Sequence, residues 1–239
     1  MPSTLSKSPA RIAAMFDAIA GRYDLLNHLL SAGIDRRWRR HAIRSLRLTG
    51  RERVLDVCTG SGDLAIEAMR AQPPAARVAG VDFAGAMLSV ARAKMTRAHV
   101  RGVALIRGDV TQLPIASASV DAVTIAFGIR NVEHAGAACA EMCRVLKAGG
   151  RLAMLEFARP TMPVWRQCYG WYLNHVLPAV GRMVSRHSSA YGYLSASIDA
   201  FADPDEVVKM LRQTGFTEIS TIRLTLGTVC LYVARRGAA

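Results

Sequence analysis

The sequence predicts an α/β fold, a mostly parallel sheet with helices on both faces, preceded by a helical segment and followed by a helical cap. Three observations predict it. Short apolar runs alternate with helical stretches between residues 53 and 157 in the order βαβαβ…βαβ, as in a parallel sheet with crossover helices. A glycine turn, Gly60-Ser61-Gly62, sits where the first strand passes into a helix. Two further strands close the chain after a last helix, which fits a hairpin at the sheet edge.

Composition narrows the class. At 239 residues, 51% hydrophobic and 21% charged, the chain supports one large domain with a full core and is not a disordered chain. Five cysteines, Cys58, Cys139, Cys143, Cys168 and Cys230, form an odd, scattered set, which is no disulfide framework and fits a reducing compartment. The N-terminus has no apolar run of a signal peptide, and no stretch approaches the roughly 18 apolar residues of a span. The expectation is a cytoplasmic protein. Its 31 Lys+Arg against 18 Asp+Glu give +13, which calls for an anionic partner. Residues 36–53 hold eight arginines and one acid, Glu52, a net +7 placed before the first strand. That cluster fits a solvated helix face or attraction to anionic lipid.

The elements follow in order. Residues 1–10 are polar and read as loose. Ile12, Met15, Phe16, Ile19 and Tyr23 form a helical stripe, followed by helical stretches at 25–30 and 36–48. Strands are expected at 53–58, 77–82, 102–109, 119–127 and 149–157, with helices at 63–70, 86–96 and 135–146. After Pro160 the alternation breaks. Trp165, Tyr169, Tyr172 and Val176 share one helix face ending near Pro178, and residues 161–187 contain Arg166, Arg182 and Arg186 but no acid. A helix at 203–214 has Asp203 as N-cap, Pro204 in its first turn and Gly215 at its end. Strands at 216–224 and 227–236 finish the chain. The single domain therefore divides into N-terminal helices (11–48), a ligand-binding core (50–157), a cap (160–200) and a C-terminal helix with hairpin (203–235).

The strongest local motif is Val54-Leu55-Asp56-Val57-Cys58-Thr59-Gly60-Ser61-Gly62-Asp63. Gly60 and Gly62 let backbone approach a ligand at a helix N-terminus. Gly60-x-Gly62-x-x-Ala65 meets the loose dinucleotide fingerprint, and Asp82, 20 residues beyond Gly62, stands where a carboxylate accepts from ribose hydroxyls. The glycines alone do not choose the adenosine ligand. Asp56, ahead of them, suits a ligand with an ammonium group. Asp109 ends the third strand, where an acid accepts from an adenine amino group.

With Arg144-Val145-Leu146-Lys147-x-Gly149-Gly150 ahead of the fifth strand, residues 50–157 resemble the class I S-adenosylmethionine (SAM) methyltransferases. The resemblance implies a Rossmann-like seven-stranded sheet with an antiparallel last hairpin, SAM as cosubstrate and no phosphate clamp. A narrower resemblance runs along nearly the whole chain. Tyr23-Asp24-Leu25-Leu26-Asn27-His28-Leu29-Leu30-Ser31-Ala32-Gly33-Ile34-Asp35-Arg36-Arg37-Trp38 is similar to the first signature of the UbiE/MenG quinone C-methyltransferases. Phe127-Gly128-Ile129-Arg130-Asn131-Val132, the run Arg144 to Phe157, and Tyr191-x-Tyr193-Leu194 with Ser197-Ile198 resemble later blocks. The family methylates a ring carbon of a prenylated quinol. The implied acceptor is demethylmenaquinol, with the ubiquinone-pathway benzoquinol or another lipophilic phenol as the alternative.

By position, the resemblance implies cofactor contacts at Ser61, Asp82, Asp109 and Val110, and at Ala126, where the family commonly has Ser. The family often has His at Asp35, Met at Leu26 and Ser at Ala158, and a small or glycine pair at Cys58-Thr59. C-methylation requires a quinol oxygen to lose its proton beside a cation, in a closed site. Arg130 is expected to stabilise the phenolate, with Asn131 orienting it; Arg stays protonated, so the proton leaves through water, His28 or Tyr23. Trp165, Tyr169 and Tyr172 pack on the sheet or cover a prenyl tail. Cys139 and Cys143 share a helix face, but no further ligands complete a metal site, and none is expected. The expected partners are the quinol, an anionic membrane surface and a second copy in a homodimer. A nucleic-acid binder or RNA methylase would use the arginines, but the Asn/Asp-Pro-Pro-Tyr type motif of amino-group methylases is absent. An NAD-dependent oxidoreductase is the remaining alternative.

Overall fold

In the computed structural model, which describes residues 7–176 and 189–238, the apolar runs become strands because helices cover both sides of them. They are β1 (Arg53–Val57), β2 (Arg77–Asp82), β3 (Val103–Arg107), β4 (Val120–Ala126) and β5 (Leu146–Phe157), then β6 (Phe216–Leu224) and β7 (Val229–Arg236). The sheet order is β3-β2-β1-β4-β5-β7-β6. β1 to β5 pair in parallel, and β7 lies antiparallel between β5 and β6. This is a Rossmann-like seven-stranded sheet, as expected.

Side chains of one strand divide between two cores. Val54 joins Ala122 and Leu155 beneath α2 (Asp35–Ser45), α3 (Asp63–Arg70) and α4 (Gly85–Arg97). Leu55 and Val57 join Ile125 and Met154 beneath α5 (Ala135–Val145) and α8 (Pro204–Gln213). Burial on both faces is why these strands read as continuous apolar runs rather than alternating ones. From β1 the chain builds outward to β3, then returns across β1 to start β4. Connections therefore leave β1 and β4 in opposite directions, opening a crevice at their C-terminal ends.

Several boundaries differ from the sequence reading. The stripe from Ile12 and the stretch at 25–30 are one helix, α1 (Pro9–Leu30), which begins inside the segment expected to be loose. α2 ends at Ser45, short of the expected 48. β5 starts at Leu146 directly after α5, so Gly149 and Gly150 lie inside a strand. The register between β4 and β5 shifts there, between Val120 and Ala122. The aromatic helix is α6 (Pro163–Trp171), continued by a wider turn at Tyr172–Val176. Its expected end near Pro178, with Arg182 and Arg186, lies outside the described residues, as do residues 1–6. A further helix, α7 (Ser189–Asp199), lies within the segment expected as a helical cap. α8 begins as expected, with Pro204 in its first turn and the Asp203 N–H donating to the Glu206 carboxylate at 2.9 Å.

The two loops of the crevice touch. Cys58 follows β1 with a left-handed φ of 51°, and a Cβ built on Gly128 would lie 2.5 Å from the Cys58 Cβ. Gly128→Ala is therefore expected to lower Tm by roughly 3–10 °C, the cost of overpacking a close contact. Adding Cys58→Gly removes the opposing atom and should restore most of that loss. Calorimetric melting of both variants checks it; an unchanged Tm for the single variant refutes the contact.

Candidate active site

The glycine loop is shaped by what lies behind it. Gly62 has φ 82° and precedes α3, and a Cβ there would meet the Met95 Cε at 2.7 Å. The Asp82 carboxylate accepts from the Gly60 N–H at 2.8 Å and the Ala84 N–H at 2.9 Å, tying the loop to the end of β2. Burial pushes the Asp82 carboxyl up, against these amide bonds. Asp56 is buried between β1 and β4, accepting from Thr59 Oγ1 at 2.5 Å and Thr124 Oγ1 at 2.7 Å. Burial pushes its carboxyl up to about 6 although both hydroxyls oppose the shift.

Gly60, Asp82, Asp109, Val110 and Ala126 converge on one cavity. Asp56 and Ser61 line a small adjoining recess with Arg39 and Tyr23. Gly62 lines neither space and serves the packing of α3 on α4. Ser61 is held from above: it donates to Asp24 of α1 and accepts from Lys94 Nζ at 3.0 Å. Lys94 also pairs with Asp24 at 2.5 Å and Asp63 at 2.7 Å. This network clamps α1 over the glycine loop.

A second cavity adjoins the first, and Phe16, Tyr23, Phe127 and Asn131 line both. Its walls are largely aromatic, with Trp38, Phe157, Tyr169 and Tyr193 among them. The short helical turn Ile129–Asn131 after β4 delivers Arg130 and Asn131 to it. Arg130 is 5% exposed, not a solvated loop charge. Its Nη1 donates to Glu156 Oε1 at 2.7 Å and at 2.5 Å to the Phe127 carbonyl, and its guanidinium lies 5.1 Å from the Phe157 ring centre. Glu156 is fully buried in β5 and also accepts from the Arg130 and Phe157 backbone N–H groups. Sequence reading missed this counter-ion; an acid inside the apolar run Met154-Leu155-Glu156-Phe157 was the available signal.

The proposed proton acceptors lie apart. Tyr23 lines both cavities, and burial pushes its hydroxyl pKa up, which keeps it protonated. His28 lines neither cavity; it faces an outer polar groove with Asp24, Lys94 and Arg40. Its Nδ1 lies 2.9 Å from Asp35, which does line the aromatic cavity. Burial pushes the Asp35 carboxyl up, but Arg39 and hydrogen bonds from His28 and Ser31 outweigh it and hold the group below the usual carboxylate range. Among the described residues no group of three or more His, Cys, Asp or Glu could hold a metal.

Known proteins share both the sequence and the fold. The "Ubiquinone/menaquinone biosynthesis C-methyltransferase UbiE" of Geobacter sp. strain M21 is 43% identical over 97% of this chain and 99% of its own length. The "Demethylmenaquinone methyltransferase" of Porphyromonas gingivalis is 41% identical over 93% of this chain and 91% of its own. Among solved structures, the cyclase SpnF superposes with a TM-score of 0.70 at 15% identity, covering 97% of each chain. A SAM-dependent methyltransferase from Thermotoga maritima gives 0.64 at 17% identity, covering 93% of this chain and 98% of its own. Identities that low speak for the fold alone, and the same sheet carries a cyclase and a methylase. The sequence is more specific: the ubiE/COQ5 methyltransferase family matches residues 4–236, and with relatives above 40% identity along nearly the full length, the chain belongs to that family.

Proposed function

We propose that this chain transfers a methyl group from SAM to a ring carbon of a prenylated quinol, demethylmenaquinol in the first instance. The observation that carries the reading is the pair of adjoining cavities, one lined by several carboxylates at the strand ends, one aromatic with a buried arginine. The first cavity's lining holds Asp82, Asp109 and Glu133 against one lysine, Lys7, among the described residues. That balance fits a cationic sulfonium and disfavours the pyrophosphate of a nicotinamide cofactor. Asp82 would take the ribose hydroxyls, Asp109 and Val110 the adenine edge, and Asp56 the ammonium. When bound, SAM supplies an electrophilic methyl group.

The chain's own residues do the rest. Aromatic walls hold the quinol ring and keep water away from it, which strengthens every charge inside. Arg130, fixed by Glu156, stabilises the phenolate that makes the neighbouring ring carbon nucleophilic. Asp35 lines the ring cavity and His28 lies behind it on the outer groove, so the pair gives the hydroxyl proton a path to solvent. A third, open trough shares Trp38, Tyr169 and Tyr172 with the ring cavity and is rimmed by Trp171. It suits an isoprenoid tail. Trp171 and Val164 of α6 are 61% and 73% exposed, and Leu226 is exposed beyond β6. Seven of the eight clustered arginines are also solvent-exposed, Arg39 being the exception. We assign these groups to an anionic membrane surface. No described helix is long and apolar enough to cross a membrane.

Three outcomes are expected. Asp82→Ala should weaken SAM binding at least about tenfold, the loss of one charged hydrogen-bond acceptor; calorimetry on the folded variant giving unchanged affinity would remove Asp82 from the cofactor site. Removing Arg130 should slow single-turnover methylation of a short-chain demethylmenaquinol by about 10²–10³ with little change in SAM affinity. Because Arg130→Ala strands the buried Glu156 charge, Arg130→Gln with Glu156→Gln is the better test, and wild-type turnover in that stable variant would exclude the role. The protein should sediment with anionic vesicles at low salt and release as salt rises. Equal binding to neutral vesicles would count against the charge assignment.

A further inference from the structure

Three buried polar atoms on residues of the ring cavity have no hydrogen-bond partner among the described residues, and two of them, Arg130 Nε and Asn131 Oδ1, belong to adjacent residues. Both residues line that cavity and are 5% and 7% exposed. The orientation of the Asn131 amide is fixed by chemistry. Its Nδ2 donates to the Phe127 carbonyl at 3.3 Å, an oxygen that also accepts from Arg130. A flipped amide would set oxygen against oxygen there, so Oδ1 points elsewhere as an acceptor without a donor. Neighbouring residues thus present one unused N–H and one unused carbonyl oxygen.

That pair is the complement of a hydroxyl group. A hydroxyl accepts one hydrogen bond and donates one; a ketone oxygen only accepts. We infer that Asn131 makes the site selective for the reduced quinol over the oxidised quinone of the same skeleton. This rests on the quinol-methylase reading and adds to it the residue that senses redox state. In the bound ground state the quinol oxygen accepts from Arg130 Nε and donates to Asn131 Oδ1; when its proton leaves by way of Asp35, Arg130 remains as the partner of the phenolate. A quinone satisfies Arg130 but leaves Oδ1 buried and unpaired, the costly case for a polar group. Asn131 also lines the cofactor cavity, so the hydroxyl it selects lies at the junction of the two cavities. The Tyr193 hydroxyl, also unpartnered and on the ring-cavity wall, can donate or accept and does not discriminate. The consequence is that oxidised quinone in the membrane does not compete for the site, and methylation follows the reduced fraction of the pool.

The test is anaerobic equilibrium binding to the whole chain with S-adenosylhomocysteine present, read by tryptophan fluorescence. The probes are a short-chain demethylmenaquinol and the corresponding demethylmenaquinone. Wild type should favour the quinol by about tenfold to a hundredfold. Asn131→Leu, close in volume, should bring the two affinities to within about threefold of each other, with the melting temperature as the check on folding. Asn131→Ala, read the same way, replaces it if the leucine variant does not fold. Equal wild-type affinities, or a ratio that survives both substitutions, overturns the inference while leaving the methylase reading intact. Binding of neither probe by wild type overturns the methylase reading instead.

Discussion

A carboxylate inside a strand that is covered on both faces needs a cation, and Glu156 takes Arg130. The pair joins β5 to the turn after β4 through side-chain and backbone hydrogen bonds at once. Taking two charges out of water is costly, and losing one partner would cost about 3–5 kcal/mol. The turn Ile129–Asn131 is therefore fixed where β4 and β1 diverge, and the rest of the ring cavity is arranged around it. Phe127 packs against Phe157 at a centroid distance of 4.6 Å and against Trp38 at 6.0 Å. Asp56 does the equivalent work on the other side of β4, holding Thr59 of the glycine loop and Thr124 of β4 on the two oxygens of one carboxylate.

Over this floor α1 forms a roof. α1 contributes Phe16 and Tyr23 to the partition between the cavities, yet few of its described side chains are buried. Its hold on the sheet domain is partly apolar, Ala20 packing with Ala84 and Met87 flanked by Phe16 and Tyr23, and partly polar: Asp24 to Ser61 and Lys94, and Asp17 to the Ala86 N–H. Half-exposed ion pairs contribute little individually and are screened by salt.

What could be read from the sequence follows from how local each signal is. β1 to β5 were legible because burial on both faces leaves apolar runs bounded by turns. Asp82 and Asp109 were legible because strand ends in a parallel sheet deliver residues to one edge. The continuity of α1 was not, since its apolar spacing slips between Tyr23 and Leu25. Nor was the start of β5, where α5 passes into the strand with no turn residue between Val145 and Leu146. The resemblance implies a cofactor contact at Ser61, while its partner within the fold, Asp24, is 37 residues away. Glu156 was passed over for the same reason, its cation lying 26 residues upstream. Contacts of that kind depend on the completed fold, and no local spacing announces them.

The arginine run shows how much a helix period can separate. In sequence, residues 36–53 look like one block of positive charge. In α2, Arg39 turns inward, pairs with Asp35 one turn earlier and reaches toward Asp63 at 3.7 Å, while Arg36, Arg37, Arg40 and Arg44 face water. The guanidinium of Arg39 also lies 5.7 Å from the Phe127 ring centre. One arginine thus belongs to the cavity wall, and its neighbours form an exposed basic face on the same helix. Trp38, between them, donates to Thr225 Oγ1 at 2.9 Å beside exposed Leu226 and lines the trough leading from the ring cavity. A single helix therefore carries an exposed basic face, one wall of an apolar trough and a buried cation at the aromatic cavity.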